Sequence, residues 1–401
     1  MHFNKTYTIL RIQGRDIHTG RYIPFLFFYE GHMTQYTQVL NDGDTIIISR
    51  ATQDINGAFS VTQNTNSVAV QYNVRATVPS GTVVTGIWIT PTELQALPMN
   101  GSAWDNIKVK ALGSWGTANL KDLNSTHDVL TLAGALYYAR TNDTTIRDKV
   151  VTNIMSCIGT EVGGRALEPS RNIVSYIISA DLINLAQYDS GKNTTFRNFI
   201  TTLRDSVLDG KSIRTTHTKR PNNWGTHAGA ARVAIARYIG DTNDIVTAAN
   251  IFKGWLGDRT AYSGFEFGDL AWQYDPTKPV AINPLGATKN GNNIDGVLPD
   301  DQRRGCGYQW PPCKENYTWE ALQGATVQAQ LLARAGYNVW AWSDKALFRA
   351  VNWLYTVNSY PPTGDDTFIP WIINKVYGVT FKTTTPVGLG KNMSYTDFTH
   401  R

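Results

Sequence analysis

The sequence predicts a mainly α-helical protein, an (α/α) toroid or incomplete barrel of helical hairpins, preceded by a small all-β N-terminal domain. From about residue 91, apolar residues recur at three- and four-residue spacing in one segment after another, the pattern of amphipathic helices. Turn signals such as Thr141-Asn142-Asp143 separate consecutive segments, so neighbouring helices are expected to pair in antiparallel fashion. Residues 1–88 instead contain short runs of β-branched and aromatic residues. We therefore predict a β-rich accessory domain over 1–88 and a helical domain over 89–401.

The strands of the first domain are predicted from short segments between turn signals. These segments are 7–12, 22–28, 45–49, 67–72 and 82–84, with turns at 41–44, 56–57 and 79–81. Several strands at this spacing are typical of a small sandwich or barrel. Sugar binding, attachment to a larger assembly and spacing are all open as its function.

The helical pattern of the second domain is long and repetitive. It covers 92–97, 104–111, 127–141, 145–158, 172–187, 194–208, 227–239, 243–257, 319–335 and 344–357. A four-helix bundle would need fewer helices, so a toroid is favoured. The segment 259–318 interrupts the pattern and is rich in Gly, Pro and Asn. A loop of this length is usually functional or disordered, and its aromatic residues argue against disorder.

Composition excludes several classes of function. Hydrophobic residues make up 42% of the 401 and charged residues 17%, an ordinary balance for a chain with a sizeable core. The net charge of +5 is too small to indicate nucleic-acid binding, but it is compatible with an anionic substrate. The sequence contains no P-loop, no zinc-type Cys/His spacing and no apolar run of membrane-spanning length. No signal peptide is visible.

The three cysteines suggest one local bridge. Cys306 and Cys313 lie close enough in sequence to form a disulfide, which would leave Cys157 as a buried thiol.

The stretch from Arg220 to Gly240 is the predicted working centre. Asn223 is expected to cap the helix that follows, and His227 lies four residues on, on roughly the same face. A histidine in the first turn feels the positive end of the helix dipole, which favours its neutral, proton-accepting form. The alternative reading is a capped helix with a buried structural histidine.

Polar residues outside the obvious helix surfaces suggest one chemistry. They are Arg171, Asn172, Asn222, Asn223, His227, Arg303, Arg304, Tyr308 and Tyr317. Asn and Arg can neutralise the carboxylate of a uronic acid and stabilise the enolate-like charge formed when C5 loses its proton. A neutral His or an ionised Tyr can take that proton, and a Tyr hydroxyl can give one to the departing O4. This β-elimination requires no metal, so no cofactor is expected.

A family resemblance supports this chemistry. Residues from about 87 to 400 resemble the alginate lyase superfamily, and most closely the glucuronan and alginate lyases of polysaccharide lyase family 38. Five stretches in order carry the resemblance: 166–183, 222–227 (Asn-Asn-Trp-Gly-Thr-His), 295–305, 314–324 and 390–397. The resemblance implies a toroid that holds an anionic polysaccharide in a tunnel or cleft, and from the substrate class a secreted or periplasmic location. The β-rich first domain lies outside it.

The resemblance also implies roles for individual residues. Asn223 matches the amide that neutralises the carboxylate, and His227 matches the histidine base. Classical alginate lyases have His directly after the Asn pair, whereas this chain has Trp224 there.

A second group of roles lies further along the chain. Tyr317 matches the catalytic tyrosine and Arg304 the arginine upstream of it. The spacing between the two is longer here, so Arg303 and Tyr308 are alternatives for these roles. The residues expected to contact substrate are Arg171, Asn172, Asn222, Trp224, Arg303, Tyr308, Trp310 and Lys391.

Two other classes of function remain as alternatives. A glycoside hydrolase on a similar toroid would need two carboxyl groups flanking the bond, for which Asp295, Asp300, Asp301 and Glu320 are candidates without an obvious partner. A non-catalytic polysaccharide-binding or attachment protein would bind without turnover. The choice between glucuronan, polymannuronate and mixed alginate stays open, because His227 and Tyr317 together permit either syn or anti elimination.

Overall fold

The computed structural model describes residues 86–401 throughout and, within the first 85 residues, the backbone of six strands. The chain divides into two compact units, Met1–Thr82 and Val83–Arg401. The second unit is built almost entirely of helices, so the mainly α fold class is confirmed.

Three antiparallel hairpins make up the described part of the first unit. They pair β1 (Thr8–Arg15) with β2 (Tyr22–Tyr29), β3 (Gln35–Val39) with β4 (Thr45–Ser49), and β5 (Phe59–Thr62) with β6 (Ser67–Val70). Four of the predicted strands coincide with β1, β2, β4 and β6. The polar strands β3 and β5 had no clear sequence signal, because they lack a run of β-branched apolar residues. The predicted strand at 82–84 and the predicted turns lie outside the described residues.

The second unit consists of helices joined by short turns and one long loop. The helices are α1 (Pro91–Gln95), α2 (Ser102–Leu112), α3 (His127–Thr141), α4 (Thr144–Ser156), α5 (Leu167–Leu182), α6 (Leu185–Tyr188), α7 (Ser190–Asp205), α8 (Ile213–Lys219), α9 (Asn223–Ile239), α10 (Thr242–Trp255), α11 (Pro299–Gln302), α12 (Asn316–Arg334), α13 (Trp342–Thr356), α14 (Ile369–Tyr377) and α15 (Thr396–Thr399). The long loop contains one small hairpin, β7 (Thr288–Lys289) with β8 (Asn292–Asn293). Within residues 86–401, none of these helices combines the length and the apolar character that a membrane span requires.

The start of α9 corrects one prediction. Asn222, not Asn223, is the capping residue, and its side-chain oxygen accepts a hydrogen bond from the Trp224 backbone N–H at 3.2 Å. Asn223 is the first residue of the helix, so its amide is free to reach sideways to other elements. His227 is the fifth residue of the helix rather than a member of the first turn.

Helices α5, α9 and α12 form the centre of the second unit, because each is buried on nearly all of its faces. α9 packs against both α5 and α12. Small residues permit the close approach. A Cβ at Gly324 of α12 would lie 2.4 Å from the backbone nitrogen of His227, and one at Gly229 of α9 would overlap the Gln328 side chain.

The approach of α12 to α9 at Gly324 gives a stability prediction. Gly324→Ala should lower the free energy of unfolding by about 1–3 kcal/mol, since the added methyl would meet backbone atoms that cannot turn aside. Urea unfolding followed by circular dichroism measures this. Gly307→Ala is the matched control, because a Cβ there meets nothing within 4 Å. Equal stability of the two variants would contradict the helix spacing described here.

Candidate active site

The side-chain amide of Asn223 joins two other elements of the fold. Its oxygen accepts a hydrogen bond from Arg304 Nη1 at 3.1 Å, and its nitrogen donates to Glu320 Oε2 at 2.9 Å. A guanidinium only donates and a carboxylate only accepts, so the orientation of the amide is determined. Asn223 is 1% exposed, and its backbone N–H donates to Asp301 Oδ1. The residue is therefore held from three sides.

Arg304 also contacts the predicted catalytic tyrosine. Its guanidinium carbon lies 3.3 Å from the centre of the Tyr317 ring, in a cation–π contact. Tyr317 is the second residue of α12, and its backbone N–H donates to the capping carboxylate of Glu315 at 3.0 Å. Tyr317, Arg304 and Asn223, three of the predicted site residues, are thus brought into direct contact in series.

A disulfide closes the loop between Arg304 and Tyr317. Cys306 and Cys313 are bonded, as predicted, and Cys157 is a buried free cysteine. Trp272 Nε1 donates to the Cys306 carbonyl, and Gln302 Nε2 donates to the Cys313 carbonyl. Because both ends of the loop are tied, Arg304 before it and Tyr317 after it are held in place.

Arg171 approaches the same cluster from α5. Its Nη1 lies 3.9 Å from Glu320 Oε2, the oxygen that accepts from Asn223. From the sequence alone, Glu320 is a candidate only for one of the two acids of a hydrolase. In the structure it stands between Asn223 and Arg171.

His227 is fully buried, and its tautomer follows from its neighbour Asn392. The Asn392 side-chain nitrogen donates to the Ser170 carbonyl at 2.7 Å and to the Arg171 carbonyl at 3.4 Å, so its oxygen faces His227 Nδ1. Nδ1 therefore carries the proton, and Nε2 is an acceptor. Nε2 is buried and, within the described residues, has no hydrogen-bond partner. Asn392 lies in the stretch 390–397 that carries part of the family resemblance, but no sequence signal distinguishes it from its neighbours.

The electrostatic environment keeps His227 neutral. Burial and the positive charges of Arg171 and Lys391 lower its pKa to about 3, against a smaller opposing effect of the Asn392 hydrogen bond. The neutral form is as predicted, but the cause is different. The helix dipole was expected to act on a first-turn residue, whereas desolvation and nearby cations act on a residue one turn deeper.

The site presents positive potential to a ligand. Asn223 begins α9 and Tyr317 is the second residue of α12, so the positive ends of two helix dipoles lie beside the cations Arg171 and Arg304. Burial raises the pKa of Asp301 well above its usual range and that of Asp128 to about 7, so these carboxyl groups oppose the cations only weakly at neutral pH. Such a site favours an anion.

Two predicted contact residues bind a neighbouring carboxylate instead. Asn222 Nδ2 donates to Asp300 Oδ2, and Arg303 Nε donates to Asp300 Oδ1, both at 3.0 Å. The Asp300 carboxylate also accepts from the Gly268 backbone N–H. This group lies beside Asn223 and ties the long loop to α9. The hydrogen bonds of Asp300 therefore help to hold the residues beside Asn223 in position.

Other predicted contact residues lie around the cluster or away from it. Asn172 is buried and donates to the Leu120 and Asp122 carbonyls, and Lys391 is buried and donates to the Ser125 carbonyl.

The predicted aromatic contacts are equally varied. Tyr308 donates its hydroxyl to the Lys289 carbonyl at 2.6 Å, inside the long loop. Trp310 is 40% exposed within the disulfide loop, and the partly exposed Trp224 carries the Arg165 guanidinium 5.4 Å from its ring centre. Tyr317 and Tyr308 are the two candidates for the catalytic tyrosine. Of the two, Tyr317 contacts Arg304, which favours Tyr317 for that role.

In the part of the chain that the structure describes, no group of three or more His, Cys, Asp or Glu side chains is arranged to hold a metal ion.

Part of the chain matches a known family. The model of the family described as alginate lyase matches residues 146–265, which run from α4 to the loop after α10. This part of the chain is therefore similar to alginate lyases, which indicates a polysaccharide lyase. No curated protein gives a significant match to the sequence.

The matched region contains only part of the site. Arg171, Asn223 and His227 lie inside it, whereas Arg304 and Tyr317 lie beyond it. The contacts of Arg304 with Asn223 and Tyr317 join the two parts of the candidate site.

The histidine tautomer is directly testable. In protein with ¹⁵N-labelled histidine, His227 should remain neutral with its proton on Nδ1 down to about pH 4, because its folded-state pKa is lowered to about 3. Asn392→Asp should raise that pKa, since a carboxylate would then accept from Nδ1. Long-range ¹H–¹⁵N spectra, assigned with His227→Gln, distinguish the forms. An imidazolium, or a proton on Nε2, near pH 6 would contradict the assignment.

The same shift has a consequence for stability. A lowered histidine pKa means that the unfolded state takes up a proton first, below its own pKa of about 6.5. The free energy of unfolding should therefore decrease as the pH falls from about 6.5 toward 3, with His227 contributing at most about 1.4 kcal/mol per pH unit. His227→Gln should have a shallower slope in urea unfolding at pH 4–7.

Proposed function

We propose that the chain cleaves glucuronan or a polymannuronate-type alginate by metal-independent syn β-elimination, and leaves 4,5-unsaturated uronate ends. The observation that carries this proposal is the contact series of Tyr317, Arg304 and Asn223, which puts a proton-transfer group beside two groups that can bind a carboxylate.

The burial of His227 favours syn over anti elimination. Anti elimination requires a base on the face of the sugar opposite the acid, and His227 is the candidate for that base. Its Nε2 is buried, and its low pKa makes it a weak proton acceptor. Tyr317 is half-buried at the start of α12 and stands at the edge of the cluster. One tyrosine that acts as both base and acid suits mannuronate and glucuronate, in which H5 and O4 lie on the same side.

The substrate carboxylate has donors available. Asn223 uses one of its two amide hydrogens for Glu320 and retains the other. Arg304 is exposed and uses only Nη1 for Asn223, so further N–H groups of its guanidinium can bind an anion. His227 has no proton on Nε2 and cannot donate there. Carboxylate binding therefore falls to Asn223, Arg304 and Arg171.

The reaction follows from these roles. Tyr317, as a phenolate, removes the C5 proton, and the electron pair moves into the carboxylate to form an enolate-like dianion. Arg304 and Asn223 stabilise that charge more strongly than the single charge of the bound substrate, which lowers the barrier. The pair then forms the C4–C5 double bond as the C4–O4 bond breaks. Tyr317 returns its proton to O4.

A hydrolase would require two carboxyl groups that flank the sugar bond. Asp300 and Asp301 are 2% and 1% exposed and accept hydrogen bonds from backbone and side-chain donors around Asn223. Asp295 accepts from Arg349, at the other side of the long loop. These three aspartates therefore serve the fold, and the lyase proposal stands ahead of this alternative.

We also propose that α5, α9 and α12 are inner helices of the (α/α) toroid. Their starts lie at one end, where Arg171, Asn223 and Glu320 meet, which supports a parallel inner layer. An anionic polysaccharide as substrate further suggests a secreted or periplasmic location.

The role of Tyr317 is tested by two tyrosine variants. Tyr317→Phe should lose at least about 10³-fold in kcat, since the proton-transfer group is removed. Tyr308→Phe should retain most activity, because its hydroxyl serves the loop. Ultraviolet absorbance of the conjugated uronate product, followed in EDTA, is the measurement. Equal activities would show that Tyr317 is not the proton-transfer group.

The substrate is tested with a polymer panel. Glucuronan and polymannuronate should give growing absorbance, and polyguluronate and a neutral glucan should give far less. Faster cleavage of polyguluronate would contradict syn elimination. Reducing ends without absorbance would indicate hydrolysis, and binding without either signal would indicate a non-catalytic polysaccharide-binding protein.

A further inference from the structure

Glu320 lies where a lyase for acidic sugars would be expected to avoid negative charge. It follows Tyr317 by one helical turn, on the same face of α12. One oxygen of its carboxylate accepts from Asn223 and stands 3.9 Å from Arg171 Nη1. Asn223 and Arg171 are two of the three residues to which we assign binding of the substrate carboxylate.

The surrounding acids do not share this arrangement. Asp301 and Asp366 are almost fully buried, and burial raises the pKa of each well above its usual range. The Glu320 side chain is 19% exposed and faces an arginine. It is therefore the carboxylate of this group that both opens to solvent and occupies the donors.

We propose that Glu320 stands in for the substrate carboxylate in the unliganded chain, and that a uronate displaces it to take over the donors that Glu320 occupies on Asn223 and Arg171. The inference rests on the proposed function and adds a specificity device to it. Displacing Glu320 breaks a hydrogen bond and an ion pair. Only a sugar that brings its own carboxylate replaces both, so a neutral sugar is rejected by a cost that it cannot offset.

The competing explanation is that Glu320 only orients Asn223 and stays in place during the reaction. The two explanations predict opposite effects of Glu320→Gln. A glutamine keeps an oxygen that accepts from Asn223 but has no charge to hold Arg171 or to repel an incoming carboxylate. Under displacement, affinity rises for uronate and also for a neutral sugar, since neither has to break the ion pair with Arg171. Under simple orientation, affinity for the neutral sugar is unchanged or falls.

The experiment measures binding without turnover. Tyr317→Phe and the double variant Tyr317→Phe/Glu320→Gln are titrated calorimetrically with a saturated mannuronate or glucuronate tetrasaccharide and with its carboxyl-reduced, neutral form. The double variant should bind the acidic sugar about three- to tenfold more tightly and should gain measurable affinity for the neutral one. Glu266→Gln in the same background is the control, because it removes an equal charge from an exposed ion pair with Lys219.

The outcomes separate the two proposals. Equal or weaker binding by the double variant, with a thermal unfolding midpoint that shows it folded, overturns the displacement. If the Glu266→Gln control showed the same gain in affinity, the effect would be one of net charge alone, and the displacement proposal would also be overturned. Failure of the acidic tetrasaccharide to bind any of the proteins contradicts the proposed function itself, and the inference with it. In the active chain, which retains Tyr317, the single substitution Glu320→Gln should lower KM for the polymer.

Discussion

The hydrogen bonds of the Asn223 side chain are the interaction on which the site depends. One small amide ties the first residue of α9 to Glu320 of α12 and to Arg304 at the end of α11, elements that are about 80 to 100 residues apart in the chain. The amide reaches both because Asn222, and not Asn223, caps the helix. If Asn223 were the cap instead, its side-chain oxygen would accept from a backbone N–H of the helix and would not be available to Arg304.

Close helix packing places this amide. Gly324 lets α12 approach the α9 backbone at His227, and the disulfide between Cys306 and Cys313 shortens the path from Arg304 back to Tyr317. The same packing removes water from His227. A histidine that looks like a base in the sequence is, in the fold, a neutral group whose acceptor nitrogen faces the interior. The proton-transfer role is therefore best assigned to the more accessible Tyr317.

The charge balance of the site has a physical explanation. A lyase must stabilise a carboxylate and then a dianion, so it needs positive charge without a full set of compensating anions. The structure supplies the starts of α9 and α12 and the cations Arg171 and Arg304, and it buries Asp301 and Asp366 so that their charged forms are disfavoured. Glu320 is the exception, and its position at the donors is what suggests competition with substrate.

The sequence by itself determined the element types, because helical periodicity is a local property. It predicted helices α3, α9, α10, α12 and α13 close to their observed positions. Residue chemistry and family resemblance also singled out Asn223, Arg304 and Tyr317 as candidate site residues, and these three lie in contact in the structure. It could not decide between Asn222 and Asn223 as the cap, since either residue type can do so. Nor could it distinguish Tyr308 from Tyr317, or reveal Glu320 and Asn392. Those assignments depend on which side chains meet across long separations and on how much water reaches them, and only the tertiary structure decides both.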